Sequence, residues 1–297
     1  MMNTSFIQWQ HRVQAQVELI LSNFLPSENQ SPEILHQAMR YATLGGGKRL
    51  RAMLVMASAQ TGEYCETALS QAMAAVEMIH AYSLIHDDLP CMDDDDLRRG
   101  KPSCHIAFGE AQALLAGDAL QTLAFEVLSF ENDLPCEQRL QMFKILANAS
   151  GSMGMAGGQS IDLSAVGHFP DLLALENMHR LKTGALICAS VQLGVLSCYS
   201  PDKNILEKLN SYANNLGLAF QVVDDILDTQ ADSRILGKTA GKDASCGKPT
   251  FVSLMGIEKA QNYANDLCEH AIDLVQDLPH NKEILTAMAR FVCQRHC

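Results

Sequence analysis

The chain has 297 residues, 47% of them hydrophobic and 19% charged, with a net charge of −12. That length and apolar content can bury a large core, and the acidic balance argues against general nucleic-acid binding. No run reaches the roughly 18 apolar residues of a membrane span, no basic n-region with an apolar h-region opens the chain, and the ten cysteines show neither CxxC spacing nor a small-scaffold framework, so reduced thiols in a cytoplasmic protein are expected, without a zinc site.

Helical periodicity dominates in chain order. Phe6, Val13, Val17, Ile20 and Leu21 recur at helical intervals after a cap at Asn3 or Thr4. Gly45-Gly46-Gly47 breaks the chain before a new helix. Ala68 to Leu89 is a long segment rich in small and apolar residues, suited to close packing. Helices are also expected over Ala111–Leu128, Gln138–Ala149, Leu172–Tyr199, Ile205–Leu227, Val252–Leu278 and Asn281–Arg295. Gly184 to Tyr199 comes nearest to a membrane span, but it is short and contains Gln192, so it reads as a core helix. Period-two alternation is hard to find, and no linker composition interrupts the chain. The expected fold is all-α: one domain over residues 1–297, a bundle of about ten helices around a central apolar cavity, with short loops favouring antiparallel neighbours. Thr229 to Pro249 stands apart as a polar stretch with three glycines and three lysines. A loop of that length in a compact domain is usually functional or disordered, and it reads as a mobile lid over an anionic ligand.

Two Asp clusters carry the chemistry. Asp87-Asp88-Leu89-Pro90-Cys91-Met92-Asp93 follows one apolar stretch, and Asp224-Asp225-Ile226-Leu227-Asp228 follows another. Carboxylates crowded at the end of an apolar helix repel one another unless a cation sits among them. Nine acids belong to these two regions (Asp87, Asp88, Asp93 to Asp96, Asp224, Asp225 and Asp228), and without them the net charge would be −3. The acidity is therefore local. Asp224 and Asp228 share a helical face, with Gln221 and Phe220 one turn earlier. In the first cluster Pro90 disfavours helix at Leu89, so the chain should leave the helix there and let Asp93 curl back toward Asp87. Either cluster alone could be a solvated acidic helix end. Together they suggest two carboxylate walls facing across divalent ions, in the manner of Mg2+ holding a substrate's phosphates.

Basic partners surround these walls in sequence. Gly46-Gly47-Lys48-Arg49-Leu50-Arg51 combines glycines that let backbone N–H groups approach an anion with Lys48 and Arg51 three apart. It lacks P-loop spacing. Arg98 and Arg99 follow the first cluster closely, either balancing Asp94 to Asp96 or meeting the same diphosphate. His80 lies two turns before Asp87 on nearly the same face. Lys182-Thr183-Gly184 sets a cation and a hydroxyl in an apolar helix, where polar groups need a reason. These residues describe a metal-dependent enzyme acting on a diphosphate.

The motifs GGGKRLR at 45–51, HAYSLIHDDLPCMDDDDLRRGKPSCH at 80–105, GDAL at 117–120, KTGAL at 182–186, FQVVDDILD at 220–228 and LGK…GKPT at 236–250 resemble the trans (head-to-tail) isoprenyl diphosphate synthases, and within them the bacterial farnesyl diphosphate synthases. The resemblance implies three Mg2+ ions, two on Asp87 and Asp93 and one on Asp224, with Asp88, Asp225 and Asp228 in support. It implies Arg98, Lys182, Lys238 and Lys248 on the allylic diphosphate, and Gly47, Lys48, Arg51, His80 and Arg99 on isopentenyl diphosphate. Thr183, Gln221 and the Lys182 carbonyl would stabilise the allylic cation. The implied substrates are isopentenyl, dimethylallyl and geranyl diphosphates, the implied assembly a homodimer, and the implied product a fifteen-carbon diphosphate. In similar proteins an aromatic residue five before the first Asp limits chain length, here Tyr82 with Ser83 beside it. A geranylgeranyl diphosphate synthase has the same machinery with a deeper pocket, and a class I terpene cyclase shares the fold but not the second-substrate site. Ala52 departs from the family pattern, which often has Pro there.

Overall fold

A computed structural model describes residues 4–165, 167, 171–230 and 248–294. Helices occupy most of them. In chain order they are α1 (Thr4–Phe24), α2 (Glu33–Thr43), α3 (Leu50–Ala59), α4 (Glu66–Asp87), α5 (Cys104–Phe108), α6 (Glu110–Ser129), α7 (Cys136–Ser150), α8 (Met155–Ser164), α9 (Leu172–His179), α10 (Ala185–Leu196), α11 (Lys203–Gln230), α12 (Phe251–Met255), α13 (Ile257–Val275) and α14 (Lys282–Cys293). The all-α expectation holds. The count among the described residues exceeds the expected ten because two expected helices are subdivided and several short ones, such as α5 and α8, carry too few periodic positions to read from sequence.

The subdivisions have local causes. A π turn, Arg180–Gly184, separates α9 from α10 within the expected helix Leu172–Tyr199. Gly256, at φ 79°, separates α12 from α13. Asp171 caps α9 by accepting from the Ala174 N–H at 2.8 Å, and Thr250 and Ser253 form a capping box at the start of α12.

Helix α4 is the centre of the molecule. Its small and apolar residues from Ala68 to Ile85 are buried on every side, against α3 and α6 among others, as expected of a helix without a polar face. Helix α10, also apolar all round, packs on α3, α7 and α11, while α11 lies along α13. The one strand pair among the described residues is a two-residue antiparallel hairpin, β1 (Leu97–Arg98) and β2 (Lys101–Pro102). Its turn residues Arg99 and Gly100 both have positive φ, 54° and 72°, as a type I′ hairpin turn requires. The eight cysteines among the described residues are free thiols, and no described helix is long and apolar enough to cross a membrane.

Candidate active site

The first Asp cluster sits where α4 ends. The helix stops at Asp87, and the chain folds back so that the Asp93 N–H donates to the Asp87 carbonyl at 2.8 Å and the Asp95 N–H to the Asp88 carbonyl at 3.2 Å. The curl expected from Pro90 is thus present in the backbone. The cluster's carboxylates have different surroundings. Burial pushes the Asp87 carboxyl up to about 6; Lys182 opposes that rise and the Asp93 charge adds to it. Asp88 is 2% exposed and accepts from Arg98 Nε at 3.0 Å and from Arg98 Nη2. Asp95 lies 3.5 Å from the same guanidinium. The fork fits a carboxylate at fixed geometry, so Asp88 orients Arg98 while Asp87 and Asp93 face the space beyond the helix end.

The glycine run brings a second group of cations alongside. Gly45, Gly46 and Gly47 have φ of 85°, 110° and 118°, a path that side chains would strain. At Gly47 an ideal Cβ would lie 2.9 Å from Arg99 Cζ, and Arg99 Nη1 donates to the Gly46 carbonyl at 2.7 Å. Two segments far apart in sequence therefore close on each other through a bare backbone. Arg49 turns inward, donating to Glu18 at 2.5 Å and Glu77 at 3.1 Å. Glu77 also accepts from the Ala52 N–H at 3.1 Å. This buried ion pair anchors the loop, and Lys48 stays exposed. Burial lowers the Arg51 guanidinium to about 10, with Glu77 and Asp224 partly compensating. Burial, followed by the charges of Arg51 and Arg99, holds His80 neutral, well below its usual range. Gly47, Arg51, His80 and Arg99 are thereby collected in one neighbourhood, with Asp224 acting on Arg51.

The surroundings of Lys182 are built by α8, the π turn and α11. The turn widens the helix at Lys182 and Thr183, a local feature common at functional sites. Helix α8 crosses it at Gly158, where an ideal Cβ would lie 2.1 Å from the Lys182 N. Lys182 Nζ donates to Asp162 at 2.5 Å. Lys248 Nζ donates to Asp93 at 2.8 Å and lies 3.7 Å from Asp162. Burial alone would raise the Asp162 carboxyl, but Lys182 outweighs it and the group is held low. Thr183 Oγ1 donates to Gln221 Oε1 at 3.2 Å, and Gln221 Nε2 donates to Asp225 at 3.2 Å. The other Asp225 oxygen accepts from the Phe251 N–H at 2.8 Å. Asp225, 4% exposed, is thus committed to positioning, whereas Asp224 and Asp228 are half-buried on the neighbouring face of α11. His179, before the π turn, stacks on Phe251 with ring centroids 5.4 Å apart. Both its ring nitrogens are buried without a partner.

Tyr82 is 8% exposed and meets the His86 ring edge-on at 5.7 Å. Ser83 Oγ donates to the His80 carbonyl at 2.9 Å, a bond within its own helix. Lys238 and most of the lid segment lie outside the described residues. Two residues escaped the sequence reading. Asp162 neutralises Lys182 from a helix with no visible motif, the only hint being the paired glycines at 157 and 158. Glu77 is an acid in the middle of the apolar helix α4, away from the acids at its two ends, and such a residue needs a buried cation.

The family model for polyprenyl synthetases matches residues 32–289. The farnesyl diphosphate synthase of Escherichia coli is 49% identical over 290 residues, covering 95% of this chain and 96% of that protein. The apo crystal structure of an FPP/GFPP synthase from Zymomonas mobilis aligns with a TM-score of 0.87 at 39% identity, over 97% of this chain and 99% of that one. A Helicobacter pylori geranyltransferase, complexed with magnesium and isoprenyl diphosphate, aligns with a TM-score of 0.87 at 31% identity, over 99% of this chain and all of that one. By the extent of these matches, the chain belongs to the polyprenyl synthetase family.

Proposed function

We propose that this chain, acting as one domain, is a (2E,6E)-farnesyl diphosphate synthase: it condenses isopentenyl diphosphate head-to-tail with dimethylallyl and then geranyl diphosphate. The observation that carries the reading is a pair of distinct cation groups at the Asp motifs: Lys182 and Lys248 act on Asp87 and Asp93, while Arg51 acts with Asp224 and shares the surroundings of His80 with Arg99. A cyclase needs only the first.

The residues fit Mg2+. The donors are hard carboxylate oxygens, and burial has already driven Asp87 up to about 6, a carboxyl that a cation would return to its ionised form. Among the described residues no three His, Cys, Asp or Glu side chains converge on one point, so water and substrate phosphates would complete each shell, as Mg2+ favours. Asp87 and Asp93 would hold two ions and Asp224 a third, with Asp88, Asp225 and Asp228 in support. When bound, Mg2+ supplies charge stabilisation for the departing diphosphate. Arg98, fixed by Asp88, and Lys182, fixed by Asp162, grip the allylic diphosphate from two sides, with Lys238 and Lys248 joining them. Lys48, Arg51, His80, Arg99 and the Gly47 backbone hold isopentenyl diphosphate. The Thr183 hydroxyl, the Gln221 amide oxygen and the Lys182 carbonyl present partial negative charge to the allylic cation. No side-chain base is required, because the released diphosphate accepts the proton lost in the final elimination. The buried Tyr82 ring limits product length, which disfavours a geranylgeranyl product.

A homodimer in the cytoplasm completes the reading, supported by exposed Leu114 and Leu115 on α6 and Leu140 on α7. The test is purified protein with Mg2+, isopentenyl diphosphate and each allylic primer in turn. A fifteen-carbon diphosphate is expected, whereas a hydrocarbon product, a twenty-carbon product or no turnover would overturn it.

A further inference from the structure

A shallow recess, open to solvent, lies on the flank of α4 beside the isopentenyl subsite, with which it shares Arg99. Its floor is Ala81, Leu84 and Ile85, which share one helix face at i, i+3 and i+4. Leu44, at the end of α2, faces them, and Tyr41 ties that wall to the hairpin by donating to the Pro102 carbonyl at 2.7 Å. None of Lys48, Arg51 and His80 lines this space.

The rim is cationic. Arg98, Arg99 and Lys101 border the recess, and Asp88 is the one carboxylate among the lining residues. Asp88 is already committed to Arg98 by two hydrogen bonds. Arg99 and Lys101 make no ion pair with a carboxylate among the described residues; the Arg99 contact is a carbonyl, that of Gly46. Lys101 Nζ overhangs the same glycine run, 3.4 Å from an ideal Cβ at Gly45. The positive charge of Arg99 is disfavoured by burial and next by Arg49, so an anion here relieves an existing electrostatic cost. A free phosphate would use the rim and leave the apolar floor bare, while a plain hydrocarbon would leave two cations beside it unmatched. An apolar floor with convergent charges at its rim is the usual chemistry of a small-molecule site.

We propose that this recess binds a small amphiphilic anion, with a phosphate or carboxylate head on Arg99 and Lys101 and an aliphatic tail over Ala81, Leu84 and Ile85. Arg99 belongs to both this recess and the isopentenyl subsite, so an occupant draws the guanidinium away from the substrate. Its effect on kinetics rests on the function proposed above; its binding does not.

The probe is octyl phosphate with a photoreactive diazirine at the tail end. It is applied to the full-length protein with Mg2+ and inorganic diphosphate present to fill the allylic diphosphate site, and without isopentenyl diphosphate, which competes for Arg99. Peptide mapping by mass spectrometry is expected to place the label within residues 81–85 of α4. Lys101→Glu and, separately, Leu84→Trp are expected to cut that labelling at least fivefold while turnover stays within twofold of wild type. Octyl phosphate is expected to raise the apparent KM for isopentenyl diphosphate in the wild type but not in Lys101→Glu. An octanoate version that labels the same peptide identifies the head-group requirement as anionic charge rather than phosphate. Label confined to the peptide around Phe220, labelling indifferent to Lys101→Glu, or displacement by inorganic phosphate at the same concentration as by unlabelled octyl phosphate would each overturn the proposal. Loss of turnover in wild type with labelling intact at 81–85 overturns the enzymatic reading and leaves the binding site standing.

Discussion

Replacing Gly158 by Ala probes how tightly Lys182, the proposed grip on the allylic diphosphate, depends on a helix crossing. The added Cβ would lie 2.1 Å from the Lys182 N and 2.5 Å from its Cα, where ordinary contact begins at 3.4 Å. The atoms met are backbone, so no rotamer change relieves the clash, and α8 and the π turn must separate by about 1 Å. Overpacking of this kind costs about 1–3 kcal/mol of stability. The same displacement moves Lys182 and Thr183 together, and a 1 Å misplacement of catalytic groups can cost about 10²-fold in rate. Asp162, four residues along α8, moves with the helix and cannot keep its 2.5 Å contact with Lys182. The expected outcome is a kcat reduced about a hundredfold, with a smaller change in KM for isopentenyl diphosphate, whose cations form the separate group around Arg51 and Arg99. Steady-state kinetics with both substrates and a thermal melt measure the two effects. Ser160→Ala, on the exposed side of α8, is the control and should change neither. A Gly158→Ala enzyme with wild-type kcat and melting temperature would refute the reasoning, because it would mean that the crossing has slack.

Asp162→Asn keeps the shape but removes the charge that neutralises Lys182. A hydrogen bond to a charged group is worth about 1.5–3 kcal/mol, and since the Lys182 side chain is 24% exposed the low end applies, roughly a tenfold loss in kcat. Arg49→Met leaves Glu77 buried without its cation and should destabilise the protein by about 3–5 kcal/mol in a denaturant melt; adding Glu77→Gln should recover part of that, and a neutral single variant would show that the pair is not a unit. His179 is buried and its imidazole is held down to about 3, against an ordinary value of 6.5. Its native state binds fewer protons than the unfolded chain between those values, so its contribution is complete above pH 6.5 and is lost as pH falls toward 3. At pH 4.5 that loss approaches roughly 2–3 kcal/mol, and His179→Phe, which keeps the stack on Phe251, should flatten the acid side of the stability–pH curve; an unchanged acid limb would contradict it. Tyr82→Ala should lengthen the product beyond fifteen carbons, read by chromatography of the dephosphorylated alcohols, and an unaltered product would remove Tyr82 from the size limit.

The helical class was legible because periodic apolar spacing in long segments such as residues 68–89 and 205–227 has no competing pattern. The curl of the first cluster was legible too, since Pro90 states where the helix must stop. What escaped depends on packing. Glu77 and Arg49 lie 28 positions apart, and nothing local says that one answers the other. The π turn inside the expected helix Leu172–Tyr199 adds no glycine or proline signal before Gly184, so the sequence runs on as if regular. Asp162 lies in a segment without a readable helical pattern, and only the crossing at Gly158 brings it to Lys182. Sequence could also nominate Asp88 and Asp225 as members of metal-facing motifs, but not their individual partners. Those are Arg98 for the first, and the Gln221 amide and the Phe251 N–H for the second.

The widened turn at Arg180–Gly184 has a consequence for how this chain tolerates change in length. One turn of regular helix there would advance by 100° per residue, so deleting a single residue would rotate α9 by about that angle relative to α10. Leu175 and Met178, now buried at 1% and 2% exposure, would swing out of the core while Lys182 and Thr183 left the Asp walls. Side-chain exchanges within the turn can be gradual, but its residue count is all-or-none. The segment thus admits exchange only at positions such as the partly exposed Arg180, and no single-residue insertion or deletion.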